Sequence, residues 1–304
     1  MNTRSNEERF DAVVIGSGIG GLSFAAIVSR LAGWRVLVLE RHFRAGGFTH
    51  VFERPGGLAW DVGLHYVGEM APGSTMRRVF DYVTGGAVGW NAMPDDYDRF
   101  EYPGLTVAAR RGEAAYREEL TGAFPKERQA IARYFRDLRR ANRFLMSTIA
   151  AESAPKPVGA LIRLVNRRAE RLALGTTGEY LDRNIADPRL RAVLASQWGD
   201  YGLPPARSAF AIHAVIALHY LEGAYYPNGG SGCIAEGAAE VIRAAGGDIL
   251  VNHEVSRILV ENGRAVGVEA LRKRGKTPET VRFLAPVVVS NAGAWTTFRR
   301  LLPT

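Results

Sequence analysis

The 304 residues predict an α/β fold in which a parallel-sheet domain is interrupted by a mostly helical insertion. Three observations carry this. A strand, a glycine-rich turn, a helix and a second strand open the chain. Prolines then punctuate a long helical stretch. Runs rich in β-branched residues return near the end. Phe10 to Ile15 (FDAVVI) is an apolar run stopped by glycines, Gly20 to Leu31 has helical apolar spacing, and Arg35 to Leu39 (RVLVL) is a second apolar run closed by Glu40. Uninterrupted apolar strands joined by a helix imply a parallel sheet covered on both faces. Thr49 to Asp61 reads as a hairpin around Arg54-Pro55-Gly56-Gly57, and Thr106 to Arg110 as a short strand. From Glu113 to Leu221 the pattern is helical, divided by Pro125, Pro155, Pro157, Pro188, Pro204 and Pro205. Gly232 to Ala245 reads as a helix, and Tyr225 to Ser231 before it reads either as a loop that meets a ligand or as an ordinary helix start with Ser231 as its cap. Strand patterns resume at Asp248 to Val251 and Arg257 to Glu261; Asn262-Gly263 is a hairpin turn; Ala265 to Leu271 and Val287 to Ser290 follow. The expected division is 10–112 and 223–304 for the two segments of the sheet domain and 113–222 for the helical domain.

Gly16-Ser17-Gly18-Ile19-Gly20-Gly21 contains GxGxxG at Gly16, Gly18 and Gly21. The pattern alone is weak. Here it follows an apolar strand, opens a helix, and has Glu40 at the end of the next strand, which makes it specific for a dinucleotide. Gly16 permits the tight turn, Gly18 lets backbone approach a pyrophosphate, and Gly21 lets the helix lie close to the strand. The helix N-terminus offers unpaired N–H groups to the phosphates. Glu40 is placed to accept from a ribose 2′-hydroxyl, and an acid there argues against a 2′-phosphate, hence against NADP.

A second glycine pair, Gly46-Gly47, follows six residues after the acid. An NAD site does not require it. Together, Gly16, Gly18, Gly21, Glu40, Gly46 and Gly47 resemble the flavoprotein family of amine oxidases, phytoene desaturases and carotenoid isomerases, whose N-terminal motif binds FAD. Phe48 to Gly68 (FTHVFERPGGLAWDVGLHYVG), Gly199 to Gly230 and the tail from Ser231 through Ser290-Asn291-Ala292-Gly293 to Leu301-Leu302-Pro303 are similar to segments of the retinol saturase-like branch.

The resemblance implies an FAD-binding Rossmann-like domain of the glutathione reductase type. It implies FAD contacts at Gly16, Gly18, Ile19, Gly20, Gly21, Glu40, Arg41, Gly46, Gly47, Gly63, His65, Val255, Asn291 and Ala292. Val255 would meet the adenine through main-chain atoms. Gly63 would let backbone approach the flavin ring. His65, Tyr66 and Tyr226 are the candidates for a proton donor, although a histidine there also fits an ordinary hydrogen-bonded residue. His213 and His219, six apart on an apolar helix, read as core residues. Members of this family are longer, so the resemblance makes the fold incomplete at the C-terminus.

The implied function is FAD-dependent hydride chemistry, saturation or desaturation, on carbon–carbon double bonds of a retinoid or carotenoid polyene. The alternatives are a redox-neutral FAD-dependent carotenoid isomerase and a non-catalytic flavin-binding remnant. The electron partner is not legible.

Composition narrows the rest. A single cysteine, Cys233, allows no intrachain disulfide and no thiolate zinc site, so no metal is expected. The net charge is +8, and 35 of the 39 basic residues are arginine. Lys126 to Arg171 alone holds twelve basic against four acidic residues. This stretch reads either as a solvated helical face or as a surface for anionic lipid. No nucleic-acid signature accompanies the charge, so no nucleic-acid partner is expected. The longest uncharged run, Ala12 to Ser29, has 18 residues but carries the glycine turn, so no transmembrane helix is expected. The polar N-terminus predicts no secretory signal, and a cytoplasmic protein with peripheral membrane contact is the expectation.

Overall fold

In the computed structural model, which describes residues 9–273 and 278–303, the opening unit forms as its pattern predicts. Strand β1 is Ala12–Ile15, helix α1 Ile19–Ala32 and strand β2 Val36–Leu39. Hairpin strands β3 (Val51–Arg54) and β4 (Leu58–Asp61) follow, then β5 (Val67–Gly68), α2 (Thr75–Val83), β6 (Trp90–Ala92) and the hairpin β7 (Asp96–Tyr102) with β8 (Leu105–Arg110). The helices are α3 (Glu113–Ala123), α4 (Arg128–Ser153), α5 (Lys156–Leu174), α6 (Thr177–Asn184), α7 (Pro188–Ala195) and α8 (Phe210–His219). Prolines sit where helices begin: Pro155 precedes α5 and Pro188 opens α7, where the missing N–H costs nothing. The chain continues through β9 (Ala224–Pro227), α9 (Gly232–Ala244), β10 (Asp248–Leu250), β11 (His253–Glu261), β12 (Arg264–Arg272), β13 (Glu279–Leu284), β14 (Val287–Ser290) and the short α10 (Ala294–Thr296). Strands β5, β6, β7, β9 and β13 are additions to the sequence reading.

The chain divides into two compact units. One comprises the residues up to Tyr66, Pro72–Asn91 and Tyr226 onward; the other comprises Val67–Ala71 and Ala92–Tyr225, which places the β7–β8 hairpin with the helices.

In the first unit four strands run parallel in the order β10-β2-β1-β14, with Val14 beside both Val38 and Val289. Alternate residues of β1 leave on opposite faces. Ala12 and Val14 pack with Leu22, Ala25 and Ala26 of α1 and Ala238 and Ile242 of α9. Val13 and Ile15 pack with Ile258, Val268 and Ala270 of the antiparallel sheet β11-β12-β13. Both faces are thus covered, which is why the strands carry no polar alternation. The turn from β11 to β12 is made by Asn262 and Gly263, both at positive φ (50° and 74°), as a two-residue hairpin requires.

The second unit is helical around Ile131, Phe135, Leu138, Leu190 and Phe210. Within that apolar set lies a buried polar network. His213 is 2% exposed; its Nε2 meets the Tyr134 hydroxyl at 2.7 Å and its Nδ1 the Tyr201 hydroxyl at 3.2 Å. Tyr180 donates to Asp137 at 3.1 Å. His219 accepts the Gly68 N–H through Nε2 at 2.8 Å. His213 lies in the core, as its apolar helix implied, whereas His219 is half-buried.

Burial holds His213 down at about 4, against about 6.5 in an unfolded chain. The unfolded chain therefore takes up a proton that the folded one refuses. Stability is full at neutral pH and falls as pH drops from about 6.5 to about 4, by on the order of 3 kcal/mol. In urea denaturation the stability advantage of wild type over His213→Gln is expected to shrink by that amount across the window. An advantage independent of pH would contradict this.

Candidate functional site

The glycine loop forms between β1 and α1, where its pattern places it. Gly16 leaves β1 at φ 93°, and its N–H is satisfied by Leu39 O at 2.8 Å. A Cβ on Gly21 would collide with Gly16 O and press Val14 at 3.2 Å, so only glycine lets α1 pack against the strand here. Gly18 precedes α1 without any side-chain cap, and no acid occupies the first turn. Among the described residues, no side chain answers the N–H groups at this end of the helix, which leaves them for an anion.

The second glycine pair seats itself on this loop. Gly46 N–H donates to Ser17 O at 3.1 Å, and Gly46 pairs with Gly18 as a parallel bridge. Gly47 has φ 57°, and a Cβ on it would stand 2.8 Å from Gly18 Cα. The two glycine motifs, 28 positions apart, are therefore one backbone surface. Asn291, delivered by β14, adds an amide to that surface: its N–H donates to Ile15 O at 2.9 Å, and its side chain lies next to Gly18 and Gly20. Ala292 beside it is half-buried in the core below.

Glu40 closes the C-terminal end of β2, beside the glycine loop, and is 9% exposed. One carboxylate oxygen accepts from Ser17 N at 2.9 Å and Ser17 Oγ at 2.7 Å, and the other accepts from His42 N at 2.8 Å. A carboxylate accepts about four hydrogen bonds, so one acceptor position is left for a ligand hydroxyl. Arg41 is exposed beside it. Glu40 O also accepts from His253 N at 2.8 Å, which brings the start of β11, and with it half-buried Val255, to the same edge.

The residues expected near the flavin ring sit on a separately braced loop pair. Asp61, at the end of β4, accepts from Tyr226 Oη on one oxygen. On the other it accepts from Ser231 N at 3.0 Å and Ser231 Oγ at 2.8 Å. Ser231 Oγ also lies 2.9 Å from Thr49 O. Ser231 is fully buried and its side chain does not cap α9, which corrects the capping expectation: the more distant carboxylate takes the hydroxyl instead. Burial, reinforced by Asp61, pushes the Tyr226 phenol up to about 12, so it stays neutral with its proton directed at Asp61. Gly63 presses Phe48, where a Cβ would come within 2.8 Å. His65 is exposed and its ring meets that of half-buried Tyr66 edge-on at 4.4 Å. Burial raises the Cys233 thiol, which makes it a poor nucleophile.

Ser17 and the bracing role of Asp61 are what sequence reasoning missed. Ser17 occupies a variable position of the glycine motif, and its only signal is a hydroxyl where the turn must be buried. Asp61 is an acid between an apolar strand and a glycine. Among the described residues, no group of three His, Cys, Asp or Glu side chains is arranged to hold a metal, and no helix is long and apolar enough to cross a membrane.

Residues 11–303 match the model of the FAD binding domain family. The chain belongs to that family. Its cofactor is FAD, and the uncapped helix end, the glycine surface and the remaining acceptor of Glu40 fit a dinucleotide. All-trans-retinol 13,14-reductase of Macaca fascicularis is 40% identical over 311 residues, which cover 97% of this chain and 49% of the relative. Prolycopene isomerase 2 from an Oncidium hybrid cultivar is 29% identical over 304 residues, covering 97% of this chain and 50% of the relative. The chain thus spans about half the length of the curated relatives it matches. An oxidoreductase structure from Methanosarcina mazei shares the fold with a TM-score of 0.62 at 22% identity, over 93% of this chain and 58% of that one. The family resemblance read from the motifs therefore extends over nearly the whole chain.

Proposed function

We propose that the chain is the FAD-holding part of an oxidoreductase that adds or removes hydrogen across a carbon–carbon double bond of an apolar polyene. The observation that carries this is 40% identity, across 97% of the chain, to a reductase named for all-trans-retinol. Bound FAD supplies the hydride chemistry, and the protein supplies position and electrostatics.

The chain's own residues take the following parts. The N–H groups at the start of α1, from Gly18 through Gly21, receive the pyrophosphate. Gly46 and Gly47 let the ligand run along bare backbone. The free acceptor position of Glu40 takes a ribose hydroxyl, with Arg41 at the rim. Val255 meets the adenine through its main chain, and Asn291 and Ala292 line the opposite side of the glycine surface. Gly63 and His65 lie toward the flavin ring. A double-bond reduction also needs a proton. Tyr226 is a weak donor because its proton is held by Asp61 and burial keeps the phenol neutral. His65 and Tyr66 are the better candidates.

The test is incubation of the flavin-loaded chain with all-trans-retinol and a chemical reductant, followed by chromatography and mass spectrometry. The expected product has gained H2 and lost one double bond of conjugation. A chain that holds flavin yet leaves retinoids and carotenoids unchanged would overturn the reading. A redox-neutral isomerase is the second reading, favoured by the identity to prolycopene isomerase. It predicts a changed double-bond geometry with no net use of reductant.

A further inference from the structure

Helix α5 carries large aliphatic residues on its outer side as well as its inner one. A helix on a protein surface ordinarily turns its aliphatic stripe inward and its polar side to water. Here the inner side is mixed: Gly159, Asn166, Ala169 and Ala173 share it with half-buried Ile162 and Leu172. Gly159 lies so close to α4 that a Cβ would stand 2.7 Å from Ala151 O, and Asn166 Nδ2 donates to Ser147 Oγ at 2.9 Å and Thr148 Oγ1 at 3.2 Å. A second set of large aliphatic residues points outward: Val158, Leu161, Leu164 and Val165 are 48%, 61%, 58% and 68% exposed. Their spacing of three, four and seven places them along one face.

The charge on this helix is mostly positive. Lys156, Arg163, Arg167, Arg168 and Arg171 lie on α5 against a single acid, Glu170. Among the described residues only Arg163 of these makes an ion pair, with Glu152 at 3.5 Å. Long basic side chains beside an exposed aliphatic face can lay their stems along apolar surface and lift their charge to a polar layer. Water alone gives such a face no partner, and a protein groove would supply apolar cover without needing the uncompensated cations. An interface that is apolar below and anionic above satisfies both features at once.

We propose that α5 is a docking helix that lies in the headgroup region of an anionic lipid bilayer, with Leu161, Leu164 and Val165 inserted and the arginines on the lipid phosphates. The proposal rests on this surface alone and is independent of the activity proposed above.

The test is flotation of the full chain with phosphatidylcholine vesicles, with and without about one-third phosphatidylglycerol. Binding is expected on the anionic vesicles, weakening as salt screens the charges. L161E/V165E changes two exposed side chains, so its thermal melt is expected to match wild type while vesicle binding falls about tenfold or more. R167E/R168E is expected to abolish the preference for anionic over neutral vesicles. No binding by wild type, or equal binding by L161E/V165E, would overturn the proposal. So would a concentration-dependent dimer that L161E/V165E dissolves in the absence of any vesicle binding, which would assign the face to a second copy of the chain.

Discussion

Gly18→Val is expected to give a folded chain that no longer retains FAD. On the protein side, a Cβ at residue 18 meets only the Asn291 side-chain amide, at 3.1 Å, and Asn291 is exposed and able to turn aside. On the ligand side, the isopropyl group would stand over the N–H groups that end α1. Losing two hydrogen bonds to a charged phosphate, at about 1.5–3 kcal/mol each, weakens binding by roughly a hundredfold or more. Flavin absorbance per mole of purified protein checks this, with circular dichroism and a melt without FAD as the control for folding. A folded variant with wild-type flavin content would contradict the assignment of the site.

Asp61→Ala is expected to cost about 2–4 kcal/mol of stability, the second large effect. It removes the acceptor for Tyr226 Oη, Ser231 N and one option of Ser231 Oγ, and it leaves a fully buried N–H without a partner. An unsatisfied buried polar group costs about 1–3 kcal/mol. Tyr226→Phe removes a single bond of the set and should cost about 1 kcal/mol. Urea denaturation of the two single variants and the double variant measures the coupling. If Asp61→Ala costs no more than Tyr226→Phe, the carboxylate does not brace the loop.

The parts legible in the sequence are those whose causes are local. The uninterrupted run Ala12–Ile15, the glycines at 16, 18 and 21, and Glu40 at the end of β2 lie within one βαβ unit, and their period and spacing carry the information. Asn262-Gly263 is legible for the same reason, since the turn itself demands positive φ. What escaped depends on distant partners. Strand β5 is two residues long and exists because Val67 and Gly68 lie opposite Tyr225 and Ala224. The Ser231 cap failed because Asp61, 170 positions away in sequence, takes the hydroxyl. In α5 the sequence shows a basic helical stretch, but periodicity cannot say which face turns outward. Glu40 was legible as an acid in the right place, whereas its dependence on Ser17 needed the folded turn.

The central claim is that the two glycine motifs, Glu40 and the uncapped end of α1 hold FAD. Titration of the purified chain with FAD, read by thermal melting and by the visible flavin spectrum, tests it most directly. The expected spectrum differs from that of free FAD. Stabilisation is expected to grow with the logarithm of FAD concentration, reaching about 2.7 kcal/mol at a hundredfold excess over Kd. A melt unmoved at every FAD concentration, with no flavin retained, would contradict the claim.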